Sequence, residues 1–224
     1  DDTPASLADR QTEQVLRNLI AKDFPDHGIL GEEYGAYNLE SDYVWVLDPL
    51  DGTKEFLAKK PGQFGMLIGL LYKGEPIYGV IGEPLEGKVF AGEGRHPGIQ
   101  NMPMNDAVFA CTNIQSMFQG TQYENAIYAI SRQAKSYQEG LNCMGFARCA
   151  AGDVDLVIER DLSLHDIVAL IPVLLDSGCT VIDFEGKSYQ DKIFDFKTEK
   201  THKFDIIAAS TEGLANKALN KLNE

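Results

Sequence analysis

The first part of the chain pairs one helical pattern with a series of short apolar runs. Apolar side chains recur from residue 7 to residue 24 at the spacing of one helix face, and Pro25 ends that pattern. Lys73-Gly74-Glu75 lies between two later apolar runs and predicts a hairpin. A helix followed by several antiparallel strands is typical of an α+β lobe. The strands are expected at 29–30, 44–47, 64–72, 76–82 and 89–92.

The second part of the chain alternates helical and extended patterns more regularly, which is typical of an α/β lobe. An irregular segment with two prolines, 95–105, separates the two parts. We therefore expect one domain over residues 1–224, with lobes of roughly 1–100 and 101–224. In the second lobe, strands are expected at 108–112, 154–159, 179–184 and 204–209, and helices at 123–133, 142–151, 166–177 and 212–222.

Composition narrows the class of protein without choosing a function. A chain of 224 residues with 44% hydrophobic residues can bury a substantial core. The formal net charge of −14 argues against nucleic acid or an anionic membrane as a partner, and no apolar run is long enough to span a bilayer. Four cysteines without a CxxC motif, and no basic-then-apolar leader, predict reduced thiols in a cytoplasmic protein. The acidic surplus suits a phosphate substrate only if bound divalent cations invert the local field.

The most informative segment follows the predicted strand at 44–47. A proline ends that strand, and Asp48 and Asp51 lie three residues apart at its exit. Gly52 lets a ligand approach the backbone, and Thr53 begins a helix whose free N–H groups form an anion site. Carboxylates, an open glycine and a hydroxyl at one strand end suit a divalent cation that holds a phosphate. The alternative is an Asp-Gly turn in which the side chains cap the backbone.

Further acids occur beside two other predicted elements. Glu32 and Glu33 follow the short strand at 29–30, and Asp166 opens the helix at 166–177. Hard oxygen ligands from three separate segments are what a Mg²⁺ cluster requires. For Asp166 alone, the alternative is an N-cap of its helix.

These segments together resemble a known enzyme family. The motifs that carry the resemblance are Gly31-Glu32-Glu33, Asp48-Pro49-Leu50-Asp51-Gly52-Thr53, and Asp166 in a helix that ends at Asp176-Ser177-Gly178. They resemble the inositol monophosphatase superfamily of Mg²⁺-dependent, lithium-sensitive phosphatases, over nearly the whole chain from Asp9 onwards. The resemblance implies a layered αβαβα sandwich, a homodimer, and a small-molecule phosphate monoester as substrate.

The resemblance extends to a branch of the superfamily. Segments 24–33, 64–68 and 152–159 are most similar to the histidinol-phosphatase branch, whereas Lys54-Glu55-Phe56 is similar to the bisphosphate nucleotidase branch. One position departs from the family pattern, since His165 stands where Trp or Tyr commonly precedes the aspartate.

The resemblance also implies roles for individual residues. Glu32 and Thr53 would position the attacking water, with Thr53 oriented by Asp9. The alternative for Asp9 is a capping carboxylate near the start of the first helix. Two or three Mg²⁺ ions would be held by Glu32, Asp48, the carbonyl of Leu50, Asp51 and Asp166. The substrate, phosphate included, would contact Gly52, Thr53, Asn142, Glu159 and Asp166.

Charge sets the order of the candidate substrates. Histidinol phosphate carries an ammonium group, which the resemblance suggests the Glu159 carboxylate would bind. The alternative for Glu159 is a solvated glutamate at a strand end. An inositol or related sugar phosphate ranks second. A 3′(2′),5′-bisphosphate nucleotide ranks third, because Lys54, Lys59 and Lys60 are the only nearby cations for its second phosphate. Asn142 stands where the histidinol-phosphatase branch tends to carry Asp, which removes one charge from the pocket.

Two other classes of protein remain as alternatives. A haloacid-dehalogenase phosphatase would carry its two acids two residues apart, whereas Asp48 and Asp51 are three apart. A non-catalytic homologue that binds a metabolite or a protein partner would differ from an enzyme by releasing no phosphate with Mg²⁺.

Overall fold

The computed structural model describes residues 4–91, 102–195 and 202–224, with only the backbone described for residues 4–6. The predicted lobe boundary near residue 100 lies outside these ranges. None of the helices in them has the length and apolar character that crossing a membrane demands. All four cysteines are buried free thiols, as predicted.

The first sheet has six strands in the order β2-β1-β3-β4-β5-β6. Strands β1 and β3 pair in parallel, whereas the other neighbours pair antiparallel. The predicted hairpin at Lys73-Gly74 is confirmed, and both residues have positive φ (52° and 87°), as a two-residue hairpin turn requires. The elements of this part are α1 (Pro4–Asp23), β1 (Gly28–Gly31), β2 (Gly35–Tyr37), β3 (Tyr43–Asp51), α2 (Thr53–Leu57), β4 (Gly65–Tyr72), β5 (Glu75–Glu83) and β6 (Lys88–Phe90).

The second sheet has five strands in the order β10-β11-β9-β7-β8. Strand β7 pairs in parallel with β8 and β9, and the pairs that include β11 are antiparallel. Its elements follow a short 3₁₀ turn at Met104–Asp106. They are β7 (Val108–Cys111), α3 (Ile114–Phe118), α4 (Glu124–Gln133), β8 (Ser136–Glu139), α5 (Cys143–Ala151), β9 (Leu156–Leu162), α6 (Leu164–Asp176), β10 (Thr180–Ile182), β11 (Phe204–Ala209) and α7 (Glu212–Leu222).

The core lies in layers because each sheet buries both faces. In β3, Val44 and Val46 face α5 and α6, whereas Trp45 and Leu47 face α1, as the two-residue period of a strand dictates. Helices α5 and α6 fill the space between the two sheets, and α4 and α7 cover the far side of the second sheet. The order is therefore helix, sheet, helices, sheet, helices, which confirms the predicted αβαβα sandwich.

Three local predictions were wrong. Strand β3 does not end at Asp48-Pro49 but continues to Asp51, because a register shift between Asp48 and Asp51 accommodates a proline that cannot donate to the ladder. Helix α6 begins at Leu164, two residues before Asp166. The sequence pattern also missed β2, α3 and β8, which are short. In the case of β8 (Ser-Tyr-Gln-Glu), the strand has no apolar alternation.

Candidate active site

The parallel pairing of β1 and β3 brings the first two acidic segments together. Gly31 lies opposite Leu47 in the register, so the residues that follow each strand emerge at the same edge of the sheet. The backbone N–H of Glu32 donates to the carbonyl of Leu47 at 3.1 Å. Glu32 is thereby fixed beside Asp48, the next residue of β3.

The irregular end of β3 is fixed by its own side chains. Asp48 Oδ1 accepts a hydrogen bond from the backbone N–H of Leu50 at 3.0 Å. Thr53 Oγ1 donates to the carbonyl of Leu50 at 3.2 Å. Asp51 Oδ2 accepts a short hydrogen bond from the backbone N–H of Cys143, the first residue of α5. The Asp-Gly turn is therefore held by side chains, yet one of those bonds reaches a helix from a distant part of the sequence.

Asp166 joins this group from the first turn of α6. Ser163 is the N-cap, so the N-cap interpretation of Asp166 is wrong, and Asp166 closes a capping box in which its Oδ2 accepts from the N–H of Ser163 at 2.6 Å. One carboxylate oxygen from each of Asp48, Asp51 and Asp166 lies within 4.8 Å of the others. The structure thus brings the three predicted aspartates together.

Burial and mutual repulsion make this cluster strongly disposed to bind positive charge. Burial, followed by the charge of Asp166, raises the pKa of Asp51 to about 7. Burial and the neighbouring carboxylates raise the pKa of Asp48 well above its usual range. Removal from water also raises the pKa of Glu32, although an interaction with the Asp48 side chain lowers it. Among the described residues no lysine or arginine forms an ion pair with these carboxylates. A set of carboxylate oxygens lacking a protein cation fits Mg²⁺, a hard cation that prefers oxygen ligands.

These pKa shifts predict how the metal-free protein responds to pH. A carboxyl group whose pKa is raised by folding binds more protons in the folded state, so the free energy of unfolding falls as pH rises from about 4 towards about 7. Mg²⁺ removes the repulsion between the ionised groups, and we expect it to raise the Tm more at about pH 8 than at about pH 5. Thermal unfolding in EDTA and in Mg²⁺ across this range tests the prediction. An equal Mg²⁺ effect at both ends would contradict it.

The structure places Asp9 near the cluster but not on Thr53. Asp9 lies in the second turn of α1 with 6% of its surface exposed, so it does not cap the helix. Burial, and then the charges of Glu33 and Glu32, raise its pKa to about 6. The expected hydrogen bond with Thr53 does not occur between the described residues, because the Thr53 hydroxyl donates to the Leu50 carbonyl instead.

Gly52 forms a narrow turn at the start of α2. Its φ of 88° lies in the left-handed region, and a Cβ there would come within 2.8 Å of Asn142 Nδ2 and of the Gln63 carbonyl. The N-cap residue itself has no side chain to cap α2. The turn is therefore closed to any residue but glycine, and no side chain in the described ranges accepts from the first N–H groups of α2.

A cavity of about 90 Å³ is lined by Asp51, Asp166 and Glu159, among other residues. Glu159 is only 3% exposed, so the interpretation as a solvated glutamate is wrong. Its Oε1 accepts from the N–H of Thr112 at 3.0 Å and from the Thr112 hydroxyl at 2.6 Å. Burial raises its pKa to about 8, against the lowering effect of Thr112.

A wider cleft of about 600 Å³ shares Thr112 and Asn142 with the cavity and is also lined by Lys54 and Lys60. The side-chain amide of Asn142 donates to the Gln63 carbonyl at 2.7 Å and to Glu55 Oε2 at 3.1 Å. Asn142 thus lies at the predicted site, but both of its amide hydrogens are used within the protein.

Several contributors to the site were missed in the sequence. Thr112 anchors Glu159, the N–H of Cys143 anchors Asp51, and Gln63 anchors Asn142. Backbone groups leave no compositional signal. The only sequence sign of Thr112 is a lone hydroxyl at the end of the predicted strand 108–112.

The chain is similar to known proteins along most or all of its length. The model of the inositol monophosphatase family matches residues 1–224. The bifunctional phosphatase IMPL2, chloroplastic, of Arabidopsis thaliana is 34% identical over 232 residues, which is 99% of this chain and 66% of that protein. A histidinol-phosphatase of Chlorobaculum parvum is 27% identical over 195 residues, or 84% of this chain and 75% of that protein. An inositol monophosphatase structure from Zymomonas mobilis has a TM-score of 0.83 at 26% identity and covers 100% of this chain and 86% of that chain.

Proposed function

Because the chain belongs to the inositol monophosphatase family, we propose that it is a Mg²⁺-dependent phosphomonoesterase whose preferred substrate is histidinol phosphate. The observation that carries the proposal is the convergence of Asp48, Asp51 and Asp166 beside the uncapped start of α2. A cluster of carboxylates binds cations, a helix start binds a phosphate, and the two together bind a phosphate monoester.

Each residue of the site has a role in hydrolysis. When bound, Mg²⁺ supplies a Lewis acid that activates water and stabilises the leaving alkoxide. The Glu32 carboxylate and the Thr53 hydroxyl position the water for in-line attack. The N–H groups of Gly52 and Thr53 hold the phosphate oxygens. The cations would be held by Glu32, Asp48, the carbonyl of Leu50, Asp51 and Asp166. The Leu50 carbonyl has two lone pairs, so it would be free to serve as a ligand while it accepts from Thr53.

Glu159 supports histidinol phosphate as the substrate. It lines the same cavity as Asp51 and Asp166, so we infer that a substrate with its phosphate at the aspartates brings its other end within reach of Glu159. No hydrogen bond to Oε2 occurs in the described part of the chain, and an ammonium group would supply one. Leu67, Phe146 and Leu170 give the cavity an apolar wall, which suits the carbon skeleton of histidinol better than a ring of hydroxyls.

Glu159→Gln tests whether the Glu159 carboxylate binds the ammonium group of histidinol phosphate. The variant keeps the size of the side chain and an oxygen for Thr112, but it cannot carry the negative charge that a bound ammonium group would stabilise against the burial that raises the pKa of Glu159 to about 8. We expect the kcat/KM for histidinol phosphate to fall about ten- to a hundredfold, the worth of roughly 1.5–3 kcal/mol for a charge-assisted hydrogen bond. The kcat/KM for inositol 1-phosphate is expected to change little. Equal losses on both substrates would show that Glu159 does not recognise the cation.

Inositol 1-phosphate is the second candidate substrate. The hydroxyl of Thr112 and the carboxyl of Glu159 also suit substrate hydroxyls, and the Zymomonas mobilis protein is an inositol monophosphatase. A phosphate-release panel with Mg²⁺ tests the order, with histidinol phosphate, inositol 1-phosphate and 3′-phosphoadenosine 5′-phosphate as substrates. Faster turnover of inositol 1-phosphate would reverse the ranking, and no phosphate release from any ester would favour the non-catalytic alternative. The homodimer and the cytoplasmic location stay predictions.

A further inference from the structure

Helix α1 carries a charged pair that the proposed mechanism does not use. Glu13 is fully buried, with 0% of its surface exposed, and its Oε1 lies 2.7 Å from Arg17 Nε one helical turn later. A buried carboxylate is unfavourable unless it is paired and hydrogen-bonded, so its remaining contacts should show why it is there.

Those contacts all go to the segment that follows β1. Glu13 Oε2 accepts from the backbone N–H of Glu33 at 2.8 Å, and Oε1 accepts from the N–H of Tyr34 at 3.2 Å. Arg17 Nη2 donates to the carbonyl of Gly35. The pair therefore binds three consecutive residues, which begin immediately after Glu32.

Gly31 makes room for this arrangement. A Cβ on Gly31 would lie 1.9 Å from Glu13 Oε1 and 2.8 Å from Arg17 Nη2. The backbone on the other side of Glu32 is held by the bond from its own N–H to the Leu47 carbonyl. Glu32 thus lies between two anchors, one on β3 and one on α1.

We propose that Glu13 is a positioning residue for the metal site: with Arg17 it fixes the backbone of residues 33–35, so that the Glu32 carboxylate is directed at the cluster of Asp48, Asp51 and Asp166. The proposal rests on the proposed function to the extent that Glu32 is a cation ligand. Partners that orient a ligand typically change metal affinity or activity about ten- to a hundredfold when they are removed. Here Glu13 would act on the backbone N–H groups of Glu33 and Tyr34, and not on the side chain of Glu32 itself.

The experiment is calorimetric titration of the purified protein with Mn²⁺, without any phosphate ester. Glu13→Gln keeps the size of the side chain, but its NH₂ group faces a donor that needs an acceptor, so one anchor is lost. We expect its Mn²⁺ affinity to fall about ten- to a hundredfold. In a phosphate-release assay, we expect the Mg²⁺ concentration at half-maximal rate to rise while kcat recovers at saturating Mg²⁺.

Ile20→Val is the matched control, because Ile20 is buried on the same helix against Ile29 and Leu47 but is not one of the two α1 residues that bind the segment 33–35. It should lower the Tm modestly and leave Mn²⁺ affinity unchanged. Arg17→Lys provides a second test if Glu13→Gln does not fold. A lysine ammonium cannot replace the planar guanidinium that binds both Glu13 and the Gly35 carbonyl.

The outcomes separate the positioning role from the phosphatase activity. Unchanged Mn²⁺ affinity in both Glu13→Gln and Arg17→Lys would overturn the positioning role, as would an equal loss of affinity in Ile20→Val. A parent protein that binds Mn²⁺ but hydrolyses no ester would refute the phosphatase and leave the positioning role in place if Glu13→Gln binds more weakly. A parent that binds no Mn²⁺ would overturn both.

Discussion

Asp51→Asn is expected to lower turnover by at least about a hundredfold, which is typical for the loss of a metal ligand or a comparable electrostatic interaction. Asparagine has the shape of aspartate, and its oxygen still accepts the N–H of Cys143, so the junction between β3 and α5 is kept. What is lost is one negative charge in a group of three carboxylates that lie within 4.8 Å. The effect should therefore fall on cation binding and not on folding.

Stability measurements separate these two effects. Burial and Asp166 raise the pKa of Asp51 to about 7, so its ionisation is unfavourable in the metal-free protein at neutral pH and above. We expect metal-free Asp51→Asn to be at least as stable as the metal-free parent, and to gain less Tm from Mg²⁺. Asp42→Asn is the matched control, because Asp42 is exposed and forms an ion pair with the equally exposed Lys73 at 3.6 Å. Near-normal turnover of Asp51→Asn, or full activity of the parent in EDTA, would refute the metal mechanism.

Thr53→Ala is expected to remove most of the turnover with little change in Tm. Thr53 is exposed, and within the described part of the chain its hydroxyl makes one hydrogen bond, to the Leu50 carbonyl at 3.2 Å. A surface bond of this kind contributes about 0.5–1.5 kcal/mol, which limits the loss of stability. The loss of activity is expected to be larger because, in the proposed mechanism, the hydroxyl positions the attacking water beside Glu32.

Thr53→Ser is the matched variant, since it keeps the hydroxyl and removes only a methyl group. Its turnover should stay within a few-fold of the parent's. If Thr53→Ala lost much stability and kept its specific activity, the hydroxyl would be a turn cap and no part of the mechanism.

The acids of the site could be predicted from the sequence because they occur at element ends with recognisable spacing. Asp48 and Asp51 flank a proline after an apolar run, and Asp166 lies in the first turn of a long apolar helix. Their meeting in space could not be predicted from periodicity, since it depends on β1 pairing in parallel with β3 and on α6 packing between the sheets. The resemblance to a family supplied that information in place of the physical pattern.

The Glu13 anchor shows a second limit. Asp9, Glu13 and Arg17 follow one another at intervals of four residues, so the sequence places them on one face of α1. Charged residues at that spacing are usually solvated, and apolar periodicity directs attention to the opposite face. Only the burial of Glu13 against Gly31 shows that this polar stripe faces the site. The expected hydrogen bond between Asp9 and Thr53 could not be judged from the sequence for a related reason. Sequence spacing does not determine which acceptor the Thr53 hydroxyl binds.

The capping box at the start of α6 affects how the divergence of related chains is interpreted. Asp166 closes the capping box of its helix as well as belonging to the cluster, so selection for a well-formed helix alone would retain it. Asp51, whose contact with Cys143 an asparagine would also make, has no comparable reason to stay ionisable once cation binding is lost. In a descendant that has given up catalysis, position 51 should therefore drift to a neutral residue before position 166 does. An aspartate at 51 is accordingly the stronger mark of a chain that still works as an enzyme.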